Sequence, residues 1–225
     1  VLENRGGSGG ALGTAMVAKA APDGYTLLLN SAAFATYPYF FKNLAYDPVK
    51  DFSALTLAVR SASVLLVHPS LPVRTAKERI ALAKLHPGRL NYSSGGNGTP
   101  GHLAMELLNT MAGIKIVHIP YRGPEDALNQ LVAGQVEVAV QSAVTALPFM
   151  RSGRLKGMAT TSREPLREIP NLPTISDAAL PGFAVYVWYG LLAPAGTPVA
   201  IVNKLNYEIV RILNLPDIIT RVQAQ

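Results

Sequence analysis

The sequence of 225 residues contains no cysteine, few charged residues and no long hydrophobic run. Without cysteine the chain has no disulfide, thiolate metal ligand or cysteine nucleophile, and it suits both the cytoplasm and the periplasm. No apolar stretch approaches the roughly 20 residues that a membrane-spanning helix requires. Charged residues make up only 15% of the chain and hydrophobic residues 49%, which excludes an intrinsically disordered protein. The composition predicts one sizeable core or two smaller ones.

The net charge of +6 does not have the pattern of a nucleic-acid-binding surface. Such surfaces cluster lysine and arginine on one face and interleave them with aromatic residues. Here the basic residues are dispersed, and the densest group surrounds one predicted helix that we expect to be solvated. This group comprises Arg74, Lys77, Arg79, Lys84 and Arg89. We therefore expect no nucleic-acid partner, and a mild attraction for small anions.

Strand and helix signals alternate along most of the chain, which is typical of parallel sheets flanked by helices. The predicted helices are Ala11–Ala21, Thr75–Leu85, a helix that begins at Gly101, Pro124–Ala133, Ala143–Arg151 and Pro198–Leu213. The predicted strands are Val1–Asn4, Thr26–Leu29, Leu55–Val59, Ser63–Val67, Leu90–Tyr92, Ile114–Ile119, Val136–Val140, Leu155–Thr161 and Val185–Leu192. A proline-rich connector, Pro165–Pro181, interrupts the alternation.

Loops of small, hydroxyl and amide residues follow several predicted strands. Open α/β sheets bind ligands at the carboxyl ends of their strands, so we expect these loops to form a binding site. They are Gly6–Gly10, Asn30–Ala33, Ser93–Thr99, Tyr121–Gly123 and Gln141–Ala143. None of these segments carries a carboxylate, and Arg122 is the only cation in them. Backbone N–H groups and helix N-termini would therefore bind an anion here.

The segment Gly96–Gly101 also fits the dinucleotide-binding pattern G-x-G-x-x-G. Glu125 or Asp126 lies near the distance expected of a ribose-binding acid. Both acids fall at the start of a predicted helix, however, whereas the acid of that fingerprint ends a strand. A nucleotide-dependent enzyme that binds phosphate with Gly96–Gly101 is thus the alternative to a non-catalytic anion receptor.

Two other chemical readings have less support. Gly6–Gly10 fits the nucleophile-elbow pattern G-x-S-x-G around Ser8, but an α/β-hydrolase places an acid before a late histidine, and no histidine follows His118. The histidines fall in four separate segments, at His68, His86, His102 and His118. We therefore expect no metal site and no cofactor. His102, in the first turn of a helix beside the glycine-rich loop, is the histidine that we assign to the candidate site.

Seven motifs occur in the order and spacing of a known family. They are Glu3–Arg5 with its glycine loop, Ala18–Leu28, Tyr46–Phe52, Leu90–Gly95, Pro120–Gly123, Gly134–Val136 and Trp188–Pro198. Over essentially its whole length the chain resembles the Bug receptors, the extracytoplasmic solute-binding proteins of tripartite tricarboxylate transporters. The resemblance implies an α/β, type II periplasmic-binding-protein-like fold, with mostly parallel sheets flanked by helices and the ligand in a cleft between two lobes. It implies a first lobe of residues 1–61 and 184–225 and a second lobe of residues 62–183.

The resemblance further implies a periplasmic receptor that is not an enzyme and does not insert into the membrane. It would deliver a small organic carboxylate to the membrane components of a tripartite tricarboxylate-type transporter, and we expect any export signal to have been removed. Family members hold the carboxylate through backbone N–H groups, hydroxyls and bridging waters, in agreement with the neutral loops. Together with His102, the ligand-binding positions that the resemblance implies are Ser8, Gly9, Ser31, Ala32, Ser94, Gly95, Asn97, Gly98, Thr99, Gln141, Ser142 and Trp188.

The chain departs from the family pattern in two respects. Gln141 stands where relatives often carry aspartate, and a neutral amide removes a partner for an ammonium group. We therefore expect a ligand without an amino group. Family members also have further first-lobe segments before Val1 and after Gln225, including a second carboxylate-holding loop, so we expect an incomplete first lobe.

Overall fold

A computed structural model of the chain describes residues 1–5, 10–31 and 33–223. The chain divides into two compact units. The first unit contains Val1–Arg60 and Trp188–Gln225, and the second unit contains Ser61–Val187. Within the described ranges no helix combines the length and the apolar character needed to cross a membrane.

The first unit pairs two strands and carries the longest helix of the chain. Its strand β1 (Leu28–Ser31) runs antiparallel to β7 (Tyr186–Pro194), with Leu28 opposite Leu192. Its other elements are α1 (Ala11–Ala18), α2 (Ala33–Thr36), a 3-10 turn (Tyr37–Tyr39), the first part of β2 (Phe52–Val67), α8 (Val199–Leu213) and α9 (Pro216–Gln223). One hydrophobic cluster forms its core, and in it Phe52 packs edge to face against Phe34 and Tyr46.

The second unit is a mixed sheet covered by helices. Strand β3 (Asn91–Ser94) is parallel to β4 (Val117–Pro120) on one side and to β5 (Val138–Ser142) on the other. The end of β2 runs antiparallel to β5 and to β6 (Lys156–Thr160). The helices of this unit are α3 (Ala76–Leu85), α4 (Pro100–Ala112), α5 (Pro124–Val132), α6 (Ala143–Arg151) and the short α7 (Ile175–Ala178).

The core of the second unit lies on both faces of its sheet. Side chains alternate along a strand, so Leu65 and Val67 of β2 enter one hydrophobic cluster, whereas Val64 and Leu66 enter another. All four side chains are fully buried. This explains why the end of β2, Val64–Val67, is a continuous apolar run, which is typical of strands covered on both faces.

Local signals in the sequence account for where the helices begin and end. Proline occupies the first turn of both α4 and α5, where its missing N–H costs no helical hydrogen bond. Thr75 caps α3 by accepting a hydrogen bond from the N–H of Glu78 at 3.1 Å. Gly113 ends α4 in the left-handed conformation, with φ of +60°, which glycine adopts without steric cost.

The α/β class predicted from the sequence is confirmed, and several details are corrected. The sheet is mixed rather than mostly parallel, because β2 runs antiparallel to both of its neighbours in the second unit. The predicted strands Leu55–Val59 and Ser63–Val67 are one strand, β2, and Val1–Asn4 is not a strand. The proline-rich connector contains α7, and α9 was not predicted.

The expectation that the basic helix is solvated is wrong at one residue. Lys77 and Lys84 are exposed, but Arg79 is completely buried. Position 79 lies three residues after Ala76 and four before Ala83, which places it on the buried face of α3. None of its guanidinium nitrogens has a hydrogen-bond partner among the described residues, and burial lowers the pKa of Arg79 to about 10.

Candidate functional site

Three helices of the second unit begin at the same edge of the sheet. The adjacent strands β4, β3 and β5 are parallel to one another. In the chain, β3 leads into α4, β4 leads into α5 and β5 leads into α6. The N-termini of α4, α5 and α6 therefore lie side by side along this edge. Helix N-termini carry unpaired N–H groups and a partial positive charge, so this edge favours an anion.

The glycine loop, Gly95–Thr99, joins β3 to α4 and packs tightly against the start of α5. A Cβ atom on Gly95 would lie 2.9 Å from the backbone nitrogen of Pro124, so no larger residue fits without a shift of the backbone. Gly96 and Gly98 have φ of +121° and +76°, which only glycine adopts readily. The loop consequently brings backbone, rather than side chains, to the sheet edge.

Hydrogen bonds within the glycine loop stabilise its turn. The Ser94 hydroxyl accepts a hydrogen bond from the N–H of Gly96 at 3.1 Å. The Thr99 hydroxyl donates to the carbonyl oxygen of Gly96 at 2.7 Å. Thr99 precedes α4, but its side chain does not cap this helix.

Side chains from β3 and β5 tie the neighbouring loops together. The Gln141 amide donates to the carbonyl oxygen of Pro124 at 3.1 Å, and the buried Ser93 hydroxyl donates to that of Ala127 at 2.9 Å. A Cβ atom on Gly101 would lie 2.9 Å from the carbonyl oxygen of Val140, so α4 also lies directly on β5. The structure therefore brings the predicted residues from Ser94 to His102 together with Gln141 at one edge of the sheet.

Ser142 lies at the same edge and caps a helix. It ends β5, and its hydroxyl accepts a hydrogen bond from the N–H of Thr145, in the first turn of α6, at 3.3 Å. The hydroxyls of Ser142 and Thr145 also lie 2.6 Å apart and bond to each other. The N-terminus of α6 therefore carries two uncharged hydroxyl groups, those of Ser142 and Thr145.

A stack of aromatic rings lies next to the glycine loop. His118, in β4, stacks on Tyr92 of β3 with ring centroids 4.8 Å apart, and its other neighbour is His102, at 4.3 Å. The His118 Nε2 atom is 2.6 Å from the Ser94 hydroxyl, and His102 Nδ1 accepts a hydrogen bond from the N–H of Gly98 at 3.1 Å. Both imidazoles therefore contact the segment that forms the loop.

Burial sets the protonation of this stack. It lowers the pKa of His118 to about 4, with a further lowering from His102, and it also lowers the pKa of His102. It raises the pKa of Tyr92, whose hydroxyl donates to Glu106 at 2.6 Å. Above the usual histidine pKa the stack is therefore neutral, and any attraction for an anion comes from dipoles and hydrogen-bond donors.

His118 is the contributor to this edge that sequence reasoning missed. His118 lies inside β4, directly opposite Tyr92 in the parallel pairing with β3. Its contact with Ser94 joins residues 24 positions apart, which local patterns do not reveal. Within the described ranges, no group of three histidine, aspartate or glutamate side chains could hold a metal ion.

The acids of the dinucleotide alternative lie on a helix. Glu125 and Asp126 form part of the first turn of α5, so neither ends a strand as the fingerprint acid does. Their charges also complement the N-terminus of α5 itself. This arrangement disfavours the nucleotide reading of Gly96–Gly101.

The remaining predicted residues belong to the first unit. Ser31 ends β1 opposite Tyr189 of β7, and its N–H donates to the side-chain oxygen of Asn30 at 2.7 Å. Trp188, in β7, packs against the hydrophobic cluster of this unit. Ser8, Gly9 and Ala32 lie outside the described residues, as does most of the predicted nucleophile elbow.

Comparison with known proteins places this geometry in a family. Residues 1–224 match the family described as "Tripartite tricarboxylate transporter family receptor". A curated relative, the UPF0065 protein in the tcbD-tcbE intergenic region of Pseudomonas sp. strain P51, is 38% identical over 220 residues, which cover 97% of this chain and 66% of the relative. The chain spans 64% to 66% of the length of the first curated relatives that it matches.

Two solved structures show the same likeness. Rpa4515 of R. palustris with adipate has a TM-score of 0.92 and 32% identity, over 98% of this chain and 74% of that chain. MatC from Rhodopseudomonas palustris with bound malate has a TM-score of 0.88 and 35% identity, over 96% of this chain and 74% of that chain. The prediction from the sequence motifs is confirmed, because the chain belongs to the tripartite tricarboxylate transporter receptors, a family of solute-binding receptors and not of enzymes.

Proposed function

We propose that this chain is a periplasmic receptor that captures a small organic carboxylate for a tripartite tricarboxylate-type transporter. The observation that carries the proposal is the alignment of three helix N-termini and the glycine loop along one edge of the sheet in the second unit. Converging N–H groups and helix dipoles bind a carboxylate without a cationic side chain. The proposed partners are this ligand and the membrane components of the transporter.

The relatives support a carboxylate ligand of modest size. The two R. palustris proteins were solved with adipate and with malate, both of which are dicarboxylates. Each is at least 32% identical to this chain and superposes closely on it. We therefore propose a dicarboxylate or a similar organic anion as the ligand of this chain.

We further propose that the ligand lacks an amino group. Gln141 is buried, and its amide already donates to the carbonyl oxygen of Pro124, so this residue adds no negative charge for an ammonium group. The nearest acids at the edge, Glu125 and Asp126, lie in the first turn of α5, where they offset its dipole. Binding of an amino acid would therefore be weakened, because its ammonium group would lose its hydration without gaining a buried, negatively charged partner.

The proposed ligand contacts comprise the candidate residues of both units. In the second unit they are Ser94, Gly95, Asn97, Gly98, Thr99, His102, Gln141 and Ser142. In the first unit they are Ser8, Gly9, Ser31, Ala32 and Trp188. We propose two lobes, residues 1–61 with 184–225 and residues 62–183, that close on the ligand, since closure requires contacts made by both.

Isothermal titration tests the proposal with adipate, malate, citrate, aspartate and glutamate as probes, and with NAD as the probe for the alternative. We expect adipate or malate to bind and both amino acids to bind at least about tenfold more weakly, the equivalent of one unsatisfied charged group. Binding of NAD, with no binding of any carboxylate, would contradict the receptor function and support the alternative, a nucleotide-dependent enzyme. Tight binding of the amino acids alone would contradict the proposed ligand class.

A matched pair of variants assigns the binding to the glycine loop. Asn97 is exposed in this loop, and we expect Asn97→Ala to weaken carboxylate binding about fivefold to tenfold through the loss of one hydrogen bond. Asn129→Ala is the control, since Asn129 is exposed in the middle of α5. If the two variants bound the carboxylate with equal affinity, the glycine loop would not be part of the binding site.

A further inference from the structure

We propose that His102 and His118 are positioning residues that hold the glycine loop in its binding conformation only while His102 is uncharged. The proposal rests on the carboxylate-binding function proposed above and adds a control by pH. Neither histidine need touch the ligand, because each acts on the loop through a hydrogen bond to Gly98 or to Ser94.

The contact of His102 with the loop depends on its protonation. His102 Nδ1 accepts the hydrogen bond from the N–H of Gly98 at 3.1 Å, so in this state Nδ1 carries no proton. An imidazolium ion donates from both ring nitrogens. Protonation would therefore set an N–H group against the N–H of Gly98 and break the contact. Gly98, whose φ of +76° lies in the region that favours glycine, would then lose this hydrogen bond.

His118 secures the other end of the loop. Its Nε2 atom lies 2.6 Å from the Ser94 hydroxyl, which also accepts the N–H of Gly96 at 3.1 Å. Either the imidazole or the hydroxyl can donate in this pair, so the contact survives in both neutral tautomers. The stacked rings of Tyr92, His118 and His102 thus connect both ends of the loop to β3, β4 and α4.

The charged and titratable groups around the pair determine the direction of the pH effect. Tyr92 faces His118 from β3, and Glu106 of α4 favours the charged form of both imidazoles. Burial outweighs Glu106 and lowers both pKa values below the ordinary 6.5, and His102 lowers the pKa of His118 further. Both histidines are therefore neutral above pH 6.5, and His102 gains its proton only as the pH falls below that value.

Positioning and direct electrostatics predict opposite responses to acid. If His102 positions the loop, acidification weakens the binding of an anion, because the loop loses its contact with Nδ1. If the histidines attracted the ligand by charge, acidification would strengthen binding. The sign of the pH dependence therefore separates the two roles.

The first test follows the loop without a ligand. NMR of the ¹⁵N-labelled chain would record the amide shift and the exchange protection of Gly98 from about pH 7.5 to about pH 4.5, together with the His102 imidazole signals. We expect the Gly98 amide to titrate with His102 and its protection factor to fall about tenfold. A Gly98 amide that stays unchanged while His102 titrates would overturn the proposal.

Variants supply the matched comparison. His102→Asn replaces Nδ1 by an amide that can accept but cannot titrate, so we expect Gly98 to keep its protection at acid pH. His102→Leu has no acceptor and should lose that protection at every pH. His86→Asn, at the exposed end of α3, is the control, and in it the protection of the Gly98 amide should depend on pH as it does in the unaltered chain. The same pH profile in His102→Asn and in the unaltered chain would contradict the role of His102.

The second test measures binding by titration calorimetry with malate and adipate as probes at about pH 7.5 and about pH 5. We expect acidification to weaken binding about fivefold more in the unaltered chain than in His102→Asn, which corrects for protonation of the ligand itself. Stronger binding in acid would overturn the positioning role. If neither probe binds at any pH, the proposed ligand class fails, and the Gly98 titration still decides whether His102 holds the loop.

Discussion

In the second unit, β2 is buried on both faces, whereas in the first unit α8 has no fully buried side chain along its described length. Both units are built from strands that lead through small-residue loops into helices. The second unit surrounds its sheet with two hydrophobic clusters, and the first unit has one smaller cluster dominated by aromatic rings. The difference is therefore one of burial and not of local sequence pattern.

This comparison bears on the anion site that we propose in the second unit. In the second unit, backbone contacts at Gly95 and Gly101 fix the glycine loop against α5 and β5. In the first unit, side-chain hydrogen bonds shape the end of β1, such as that from Asn30 to the buried Thr14 hydroxyl at 2.7 Å. Donors that are fixed before the ligand arrives lose less entropy on binding. We therefore expect the second unit to supply most of the preorganised contacts.

The largest expected effect sharpens the comparison at a buried charge in the core of the second unit. Arg79 is buried and has no hydrogen-bond partner in the part of the chain that the structure describes. Replacing it by methionine should raise the free energy of unfolding by about 3 kcal/mol, because the change removes a desolvated charge from an apolar site. Urea unfolding of the purified chain measures the change. Lys77→Met on the exposed face of α3 is the control, and it should change stability by less than about 0.5 kcal/mol. Destabilisation by Arg79→Met would show that the guanidinium has a partner.

The next effect concerns the close packing of the site. Gly101→Ala should lower the free energy of unfolding by about 2 kcal/mol, since the added Cβ would lie 2.9 Å from the carbonyl oxygen of Val140. Thermal unfolding compares it with Gly123→Ala, whose Cβ would meet only the flexible Glu125 side chain at 3.5 Å. If Gly101→Ala and Gly123→Ala were equally stable, α4 would lie less tightly on β5 than the structure describes. The difference in packing between the two units would then be smaller.

The smallest effect belongs to the first unit. Tyr207, on α8, is 66% exposed, and we expect Tyr207→Ala to change the free energy of unfolding by less than about 0.5 kcal/mol. Tyr25→Ala, at a residue that is 93% exposed, is the matched control. A loss above about 1 kcal/mol in Tyr207→Ala alone, measured in urea, would reveal that α8 is covered in the folded chain and would break the comparison.

Much of the second unit could be predicted from local signals. The bounds of α6, Ala143–Arg151, and the start of α5 at Pro124 agree with the sequence-based prediction. Proline at the first turn and glycine at the end specify helix boundaries through the backbone of a few neighbouring residues. The prediction that small-residue loops follow the strands rests on equally local information.

The predictions that were wrong involve contacts between distant residues. Arg79 was predicted to be solvated because its neighbours in sequence are basic. It lies instead on the buried face of α3, together with Ala76 and Ala83. The contact of His118 with Ser94 was missed, because the place of His118 opposite Tyr92 depends on the parallel register of β3 and β4. Neither the buried face of a helix nor the register of two strands follows from charge or composition alone.

The sequence by itself determined the family, the α/β class and the position of the glycine loop, because motif order, hydrophobic alternation and the special backbone of glycine act over short stretches of chain. Only the tertiary structure decided that this loop lies against Pro124, that His102 bonds to Gly98 and His118 to Ser94, and that Arg79 has no hydrogen-bond partner among the described residues. Those facts depend on strand register and on burial. Both are set by packing between segments that are far apart in sequence.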